Sequence, residues 1–136
     1  MITLDTNVLV RFLTQDEPGQ ARSATDLISD LTEDNPGFVC REVLVELVWV
    51  LERSYKFSSS DISGVLEGLL SASELVIEEA DAIGSFLHLY EIKGFGFSDL
   101  MIRQASRRSG SHHLATFDKK AALLDDVALV GLKQRQ

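Results

Sequence analysis

Met1-Ile2-Thr3-Leu4-Asp5-Thr6-Asn7 opens the chain with a short β-branched and apolar run that stops at a carboxylate. Val8, Leu9, Phe12 and Leu13 follow at helical spacing. This pattern reads as a buried strand whose carboxyl end presents Asp5 where a helix begins. In open α/β sheets, ligands and chemistry collect just outside the carboxyl ends of strands. The fold and the function therefore turn on whether further carboxylates are placed to join Asp5.

The same alternation continues downstream. Gln15-Asp16-Glu17-Pro18-Gly19 reads as a turn with Pro18 at a helix start, followed by Ala21, Ala24, Leu27, Ile28 and Leu31 at helical spacing. Phe38-Val39-Cys40 reads as a second strand, with Cys40 as a core residue. Glu42 to Arg53 reads as an apolar helix, and Ser58-Ser59-Ser60-Asp61 as the cap of the next one, with Ile62, Val65, Leu66, Leu69 and Leu70 on one face. Leu75-Val76-Ile77 is a third strand, and Asp81 to Lys93 a helix. Gly94-Phe95-Gly96-Phe97 is a loop, after which Ser98 is expected to cap a helix starting at Asp99 and ending near Ser109-Gly110. Leu114 to Phe117 is a fourth strand, ended by Asp118 and a short helix through Leu124, and Val127 to Val130 a fifth. Strands alternating with helices imply an α/β fold with a short, mostly parallel central sheet covered on both faces, a three-layer sandwich.

The bounds are consistent with that picture. A length of 136 residues suits one domain, 1–136, with no repeat or linker to divide it. No apolar run approaches the ~20 residues that span a bilayer, so no membrane association is expected. The amino terminus carries no basic, signal-like segment, and one cysteine permits no internal disulfide, so the expected location is cytoplasmic. A net charge of −8 argues against passive adhesion to nucleic acid, but much less against a nuclease in which cations stand between carboxylates and phosphates.

Four acids are candidates for such chemistry, and each has a plainer reading beside it. Asp5 suits a helix cap as well as an active site. Glu46 projects at the edge of the apolar face of its helix, where a carboxylate needs a partner or water; a salt bridge to Arg53 is the simple alternative. Asp99 lies in a first helical turn, where the macrodipole favours an anion. Asp118 ends a strand as Asp5 does, with Thr116 two residues earlier, and a cap is again the alternative. Taken together, two strand ends and two helix openings put all four at the same edge of a parallel sheet. Carboxylates so clustered raise one another's pKa unless cations occupy the site. An all-oxygen set suits Mg²⁺ or Mn²⁺, which activate water and stabilise the leaving oxygen in phosphodiester hydrolysis.

Leu4-Asp5-Thr6-Asn7-Val8-Leu9, Val43-Leu44-Val45-Glu46-Leu47, Phe97-Ser98-Asp99-Leu100-Met101-Ile102 and Ala115-Thr116-Phe117-Asp118 resemble, in order and spacing, the four motifs of PIN-domain nucleases, and are most similar to those of VapC-type toxins. The resemblance covers essentially the whole chain. It implies a metal-dependent endoribonuclease with Asp5, Glu46, Asp99 and Asp118 as the metal-binding acids, and Asn7 and Thr116 shaping the site through hydrogen bonds. It also implies an RNA substrate, a homodimer and a small antitoxin partner. Ser98 departs from the usual small apolar residue before the third acid, and Arg41 from the small hydroxyl residue that often opens the second motif's helix.

Other chemistries fit less well. A zinc site is poorly supplied by Cys40, His88, His112 and His113, the last two in an exposed loop. Gly94 and Gly96 make neither a dinucleotide fingerprint nor a phosphate loop. A phosphatase-like enzyme with Asp5 as nucleophile lacks the second carboxylate at Asn7. A non-catalytic interaction module of the same fold is the alternative from another class. Arg11, Arg103, Arg107, Arg108, Lys119 and Lys120 are candidates to hold phosphates, although solvated helix charge explains each of them singly.

Overall fold

The computed structural model describes residues 1–131 and divides into two compact units, Met1–Ser85 and a second beginning at Phe86. The last five positions of the expected 1–136 domain lie outside the described residues.

In the first unit, strand β1 (Ile2–Thr3) pairs in parallel with β2 (Gly37–Val39), which pairs in parallel with β3 (Leu75–Ile77). β2 is central, and its first residue has to be small. A Cβ on Gly37 would stand 2.8 Å from Leu31 Cδ1 and 3.0 Å from Leu4 Cδ1, so the glycine lets those two leucines close over the strand. Helix α1 (Thr6–Thr14) starts at Asp5, whose Oδ1 accepts the Thr6 N–H, and ends at Gln15 in the left-handed region with φ 56°. Helix α2 (Pro18–Ser29) opens with Pro18 at its first position, and Glu17 accepts the Gln20 N–H as its cap.

Helix α3 (Arg41–Arg53) buries Val43, Leu44, Leu47, Val48 and Leu51 against the sheet unit's core, which also contains Leu4, Leu9 and Val39. Helix α4 (Ser59–Ser71) is started by a complete capping box between Ser58 and Asp61, and buries Ile62, Leu66 and Leu69. Helix α5 (Ala80–Glu91) follows β3, and the boundary between units falls within it.

The second unit contains helix α6 (Phe97–Arg108), strands β4 (Leu114–Thr116) and β5 (Val127–Leu129), and a 3-10 turn at Ala121–Leu123. β4 and β5 pair in parallel, Leu114 opposite Val127. Its core gathers Phe86, Leu87, Tyr90, Phe97, Leu100, Met101, Ala121 and Leu124. The Phe97 ring meets both Phe86 and Tyr90 edge to face, each at a centroid distance of 6.0 Å.

Among the described residues every strand pairing is parallel, as the α/β alternation implies, in one three-stranded and one two-stranded ladder. Four local expectations are corrected. Helix α6 begins at Phe97, with Gly96 at its N-cap and no side-chain cap bond, so Ser98 lies in the first turn instead of capping it. Burial of the Phe97 ring draws that residue into the helix. Cys40 is half-buried at the N-cap of α3, outside β2. The segment after Asp118 is too short for an α-helix and closes as a 3-10 turn. Arg103 is buried at 7% exposure instead of lying on the surface; burial, then the neighbouring Arg107, lowers its pKa, and its Nε finds no acceptor among the described residues.

Candidate active site

Asp5 follows β1 by two residues and is exposed. Its capping bond to the Thr6 N–H, 2.8 Å, uses Oδ1 alone. A carboxylate has about four lone-pair positions, so capping α1 leaves acceptor capacity for other work. Glu46 lies in the second turn of α3. Its Oε1 accepts a hydrogen bond from the Thr6 hydroxyl at 2.5 Å. Arg53, the alternative partner for Glu46, instead lies over the Trp49 ring at 5.3 Å. Thr6 is 4% exposed, so its hydroxyl is sequestered from water and committed to this contact. Thr6 thus connects two of the acids, one through its backbone and one through its side chain.

This role of Thr6 is not legible in the sequence, where the residue reads simply as part of a helix start. The available signal is a hydroxyl directly after a candidate acid on the first turn of an apolar helix. Its partner, 40 positions away, requires the packing of α1 on α3.

Arg41, the departure from the usual second motif, is explained by its surroundings. Glu78 Oε1 accepts the Arg41 N–H at 2.8 Å, and the guanidinium pairs with Glu78 at 3.4 Å and Glu79 at 3.9 Å. A carboxylate from beyond β3 therefore caps α3, in place of a local hydroxyl.

In the second unit, Asp99 occupies the first turn of α6. Burial, and then the negative charge of Asp118, raise its pKa above the ordinary carboxyl value. Gly96 leaves room for it: a Cβ there would stand 3.1 Å from Asp99 Oδ2. Asp118 follows β4. Its Oδ1 accepts the Ala121 N–H at 2.9 Å, and its own N–H is bonded to Thr116 Oγ1 at 3.0 Å. Thr116 therefore shapes the turn that carries Asp118. Asn7 is exposed and borders a cavity of about 320 Å³ beside Val8, Arg11 and Gln20. Arg11 is committed within its own unit, bonding Gln20, Asp16 and Tyr55.

The acids thus come as two pairs, Asp5 with Glu46 and Asp99 with Asp118. Among the described residues, no group of three or more His, Cys, Asp or Glu side chains is placed to hold a metal ion. The donor chemistry nonetheless fits a hard divalent cation. The ligands are all oxygen, and Asp99 carries an electrostatic penalty that a cation would relieve. Mg²⁺ keeps several waters and is commonly bound by one or two carboxylates plus substrate phosphates, so carboxylate pairs suffice.

The model of the PIN domain family matches residues 2–128, which spans both units and all four acids. The chain belongs to the PIN domain family. A VapC ribonuclease from Aquifex aeolicus (strain VF5) is 28% identical to this PIN domain over 121 residues, covering 88% of this chain and 89% of that protein. No helix of this PIN domain, among the described residues, is long and apolar enough to cross a membrane.

Proposed function

We propose that this PIN domain is a metal-dependent endoribonuclease, the toxin of a toxin–antitoxin pair, acting in the cytoplasm as a homodimer and held in check by a small antitoxin protein. The observation that carries the reading is the Thr6-bridged Asp5–Glu46 pair, since two carboxylates are held at fixed positions within a chain whose residues 2–128 match the PIN domain family. The likeness to a VapC ribonuclease supports the choice of RNA and of a toxin's role.

In this reading residues 1–136 work as one nuclease domain, and Asp5, Glu46, Asp99 and Asp118 would hold Mg²⁺ or Mn²⁺. Such an ion supplies a lowered pKa for bound water and charge neutralisation at the phosphate. The chain's own contribution is orientation. Thr6 fixes one oxygen of Asp5 and one of Glu46, and the Thr116–Asp118–Ala121 bonds fix Asp118. Burial and the charge of Asp118 make Asp99 hold its proton more tightly than an ordinary carboxyl, and a cation held there would favour its charged form. Hydrolysis joins the water oxygen to phosphorus, breaks one P–O ester bond, and delivers a proton to the leaving oxygen.

The test is overproduction of the wild type and of Asp5→Asn, followed by sequencing of newly created RNA ends. New ends are expected with the wild type alone. The same ends from a folded Asp5→Asn protein would reject the assignment, and a wild type that binds its partner but neither Mn²⁺ nor RNA would favour a non-catalytic module.

A further inference from the structure

Phe117 immediately precedes Asp118 and is 81% exposed, more than Leu123 at 76% or Ile92 at 70%. Single exposed apolar residues are ordinary on protein surfaces, so exposure alone assigns nothing. The setting of this ring is less ordinary. Along β4 and past its end, Leu114 and Thr116 are half-buried while Ala115 and Phe117 face solvent, so strand alternation points the ring outward. The backbone on either side is pinned. The Thr116 carbonyl accepts the Val130 N–H at 2.8 Å, Thr116 Oγ1 accepts the Asp118 N–H, and Asp118 in turn caps the 3-10 turn. With the backbone fixed, only the ring's own rotamer freedom is left to lose when a ligand covers it. Two lysines follow at once, Lys119 exposed and Lys120 with its ammonium 5.0 Å from the Phe95 ring. In a chain of net charge −8, this places an exposed aromatic face and two cations within three residues of one candidate acid.

We propose that Phe117 is a stacking platform for an unpaired base of the RNA strand, with Lys119 against a neighbouring phosphate; this rests on the ribonuclease reading above. Single-stranded nucleic acid is held by this combination, an aromatic face for the base and cations for the backbone. A protein partner is the weaker fit, because the charged residues Asp118, Lys119 and Lys120 directly follow Phe117 in the chain and charged residues are depleted from the cores of protein interfaces. Phe117 positions substrate and takes no part in bond breaking.

The experiment compares the wild type with Phe117→Ala, Phe117→Leu and Phe117→Trp. Fluorescence anisotropy of a labelled, randomised 20-nucleotide single-stranded RNA is measured with Ca²⁺ as the divalent ion, alongside steady-state cleavage kinetics with Mg²⁺. Loss of one stacked base weakens binding about 5- to 150-fold. That loss is expected for the Ala and Leu variants, as a raised KM with kcat kept, while Trp retains wild-type affinity. Lys119→Gln is expected to reduce the slope of log affinity against log salt by about 0.7. Wild-type affinity in Phe117→Leu would overturn stacking in favour of plain apolar contact, and wild-type affinity in Phe117→Ala would overturn any role in RNA binding. A change of mass in sedimentation with unchanged RNA affinity would assign the ring to a protein interface and likewise overturn the proposal. A wild type that neither binds nor cleaves RNA sinks the ribonuclease reading itself, whereas cleavage with unaltered Phe117→Ala affinity sinks the stacking role alone.

Discussion

Thr6 holds two carboxylates with two different groups, its N–H on Asp5 and its hydroxyl on Glu46. Partners that orient metal ligands typically contribute 10–100-fold to metal affinity or activity. Thr6→Val keeps the N–H and the shape but loses the hydroxyl, so Mn²⁺ binding by calorimetry and the cleavage rate are expected to drop by about 10–100-fold, with Thr6→Ser close to wild type. A merely structural hydroxyl would lower the melting temperature in Thr6→Val and leave the Mn²⁺ titration alone.

Asp99 makes a second prediction, of pH dependence. Its folded pKa is raised by burial and by Asp118. Below the ordinary carboxyl value, folded and unfolded chains both carry the proton and stability is unaffected. Between that value and the raised one, only the folded chain holds it, so stability falls as pH rises; above both, the full penalty persists. In chelator, Asp99→Asn is therefore expected to melt higher than the wild type at neutral pH, with the difference vanishing in acid. An Asn variant that is equally or less stable at neutral pH contradicts burial and Asp118 as the origin of the shift.

At the scale of elements, α3 owes its start to a residue outside it. Glu78→Ala removes the cap on the Arg41 N–H together with the ion pair. It is expected to cost about 0.5–2 kcal/mol in urea unfolding, mostly through the cap, since exposed ion pairs contribute about 0–1 kcal/mol. An unfolding midpoint unchanged from wild type would show that α3 needs no such cap. Elements of this kind mark the limit of what the sequence reveals. Pro18 and the Ser58–Asp61 box are local signals, and the helices they start are legible. The cap from Glu78 is 37 positions away and carries no local signature. The start of α6 is not legible, because Phe97 belongs to that helix through its contacts with Phe86 and Tyr90, a tertiary effect that overrides the cap preference of Ser98. Arg103 reads as a surface cation because helical spacing alone does not say how deep a face is buried.

For the whole molecule, the alternation of strand and helix makes the parallel α/β class legible, and four short motifs in order make the family legible. The structure adds the pairing of the acids: Thr6 joins Asp5 to Glu46, and Asp118 acts on Asp99. In the proposed reading, a net charge of −8 makes a bound cation the intermediary with RNA. We propose that both pairs serve one metal-dependent cleavage. It is tested most directly by RNA cleavage with purified wild type, Asp5→Asn, Glu46→Gln, Asp99→Asn and Asp118→Asn, each shown to be folded by its thermal transition. Wild-type cleavage is expected to require Mg²⁺ or Mn²⁺ and to stop in chelator. Each single variant, from either pair, is expected to lose more than about 100-fold, beyond the range for orienting partners. A folded Asp5→Asn or Asp99→Asn protein that cleaves at the wild-type rate would contradict it.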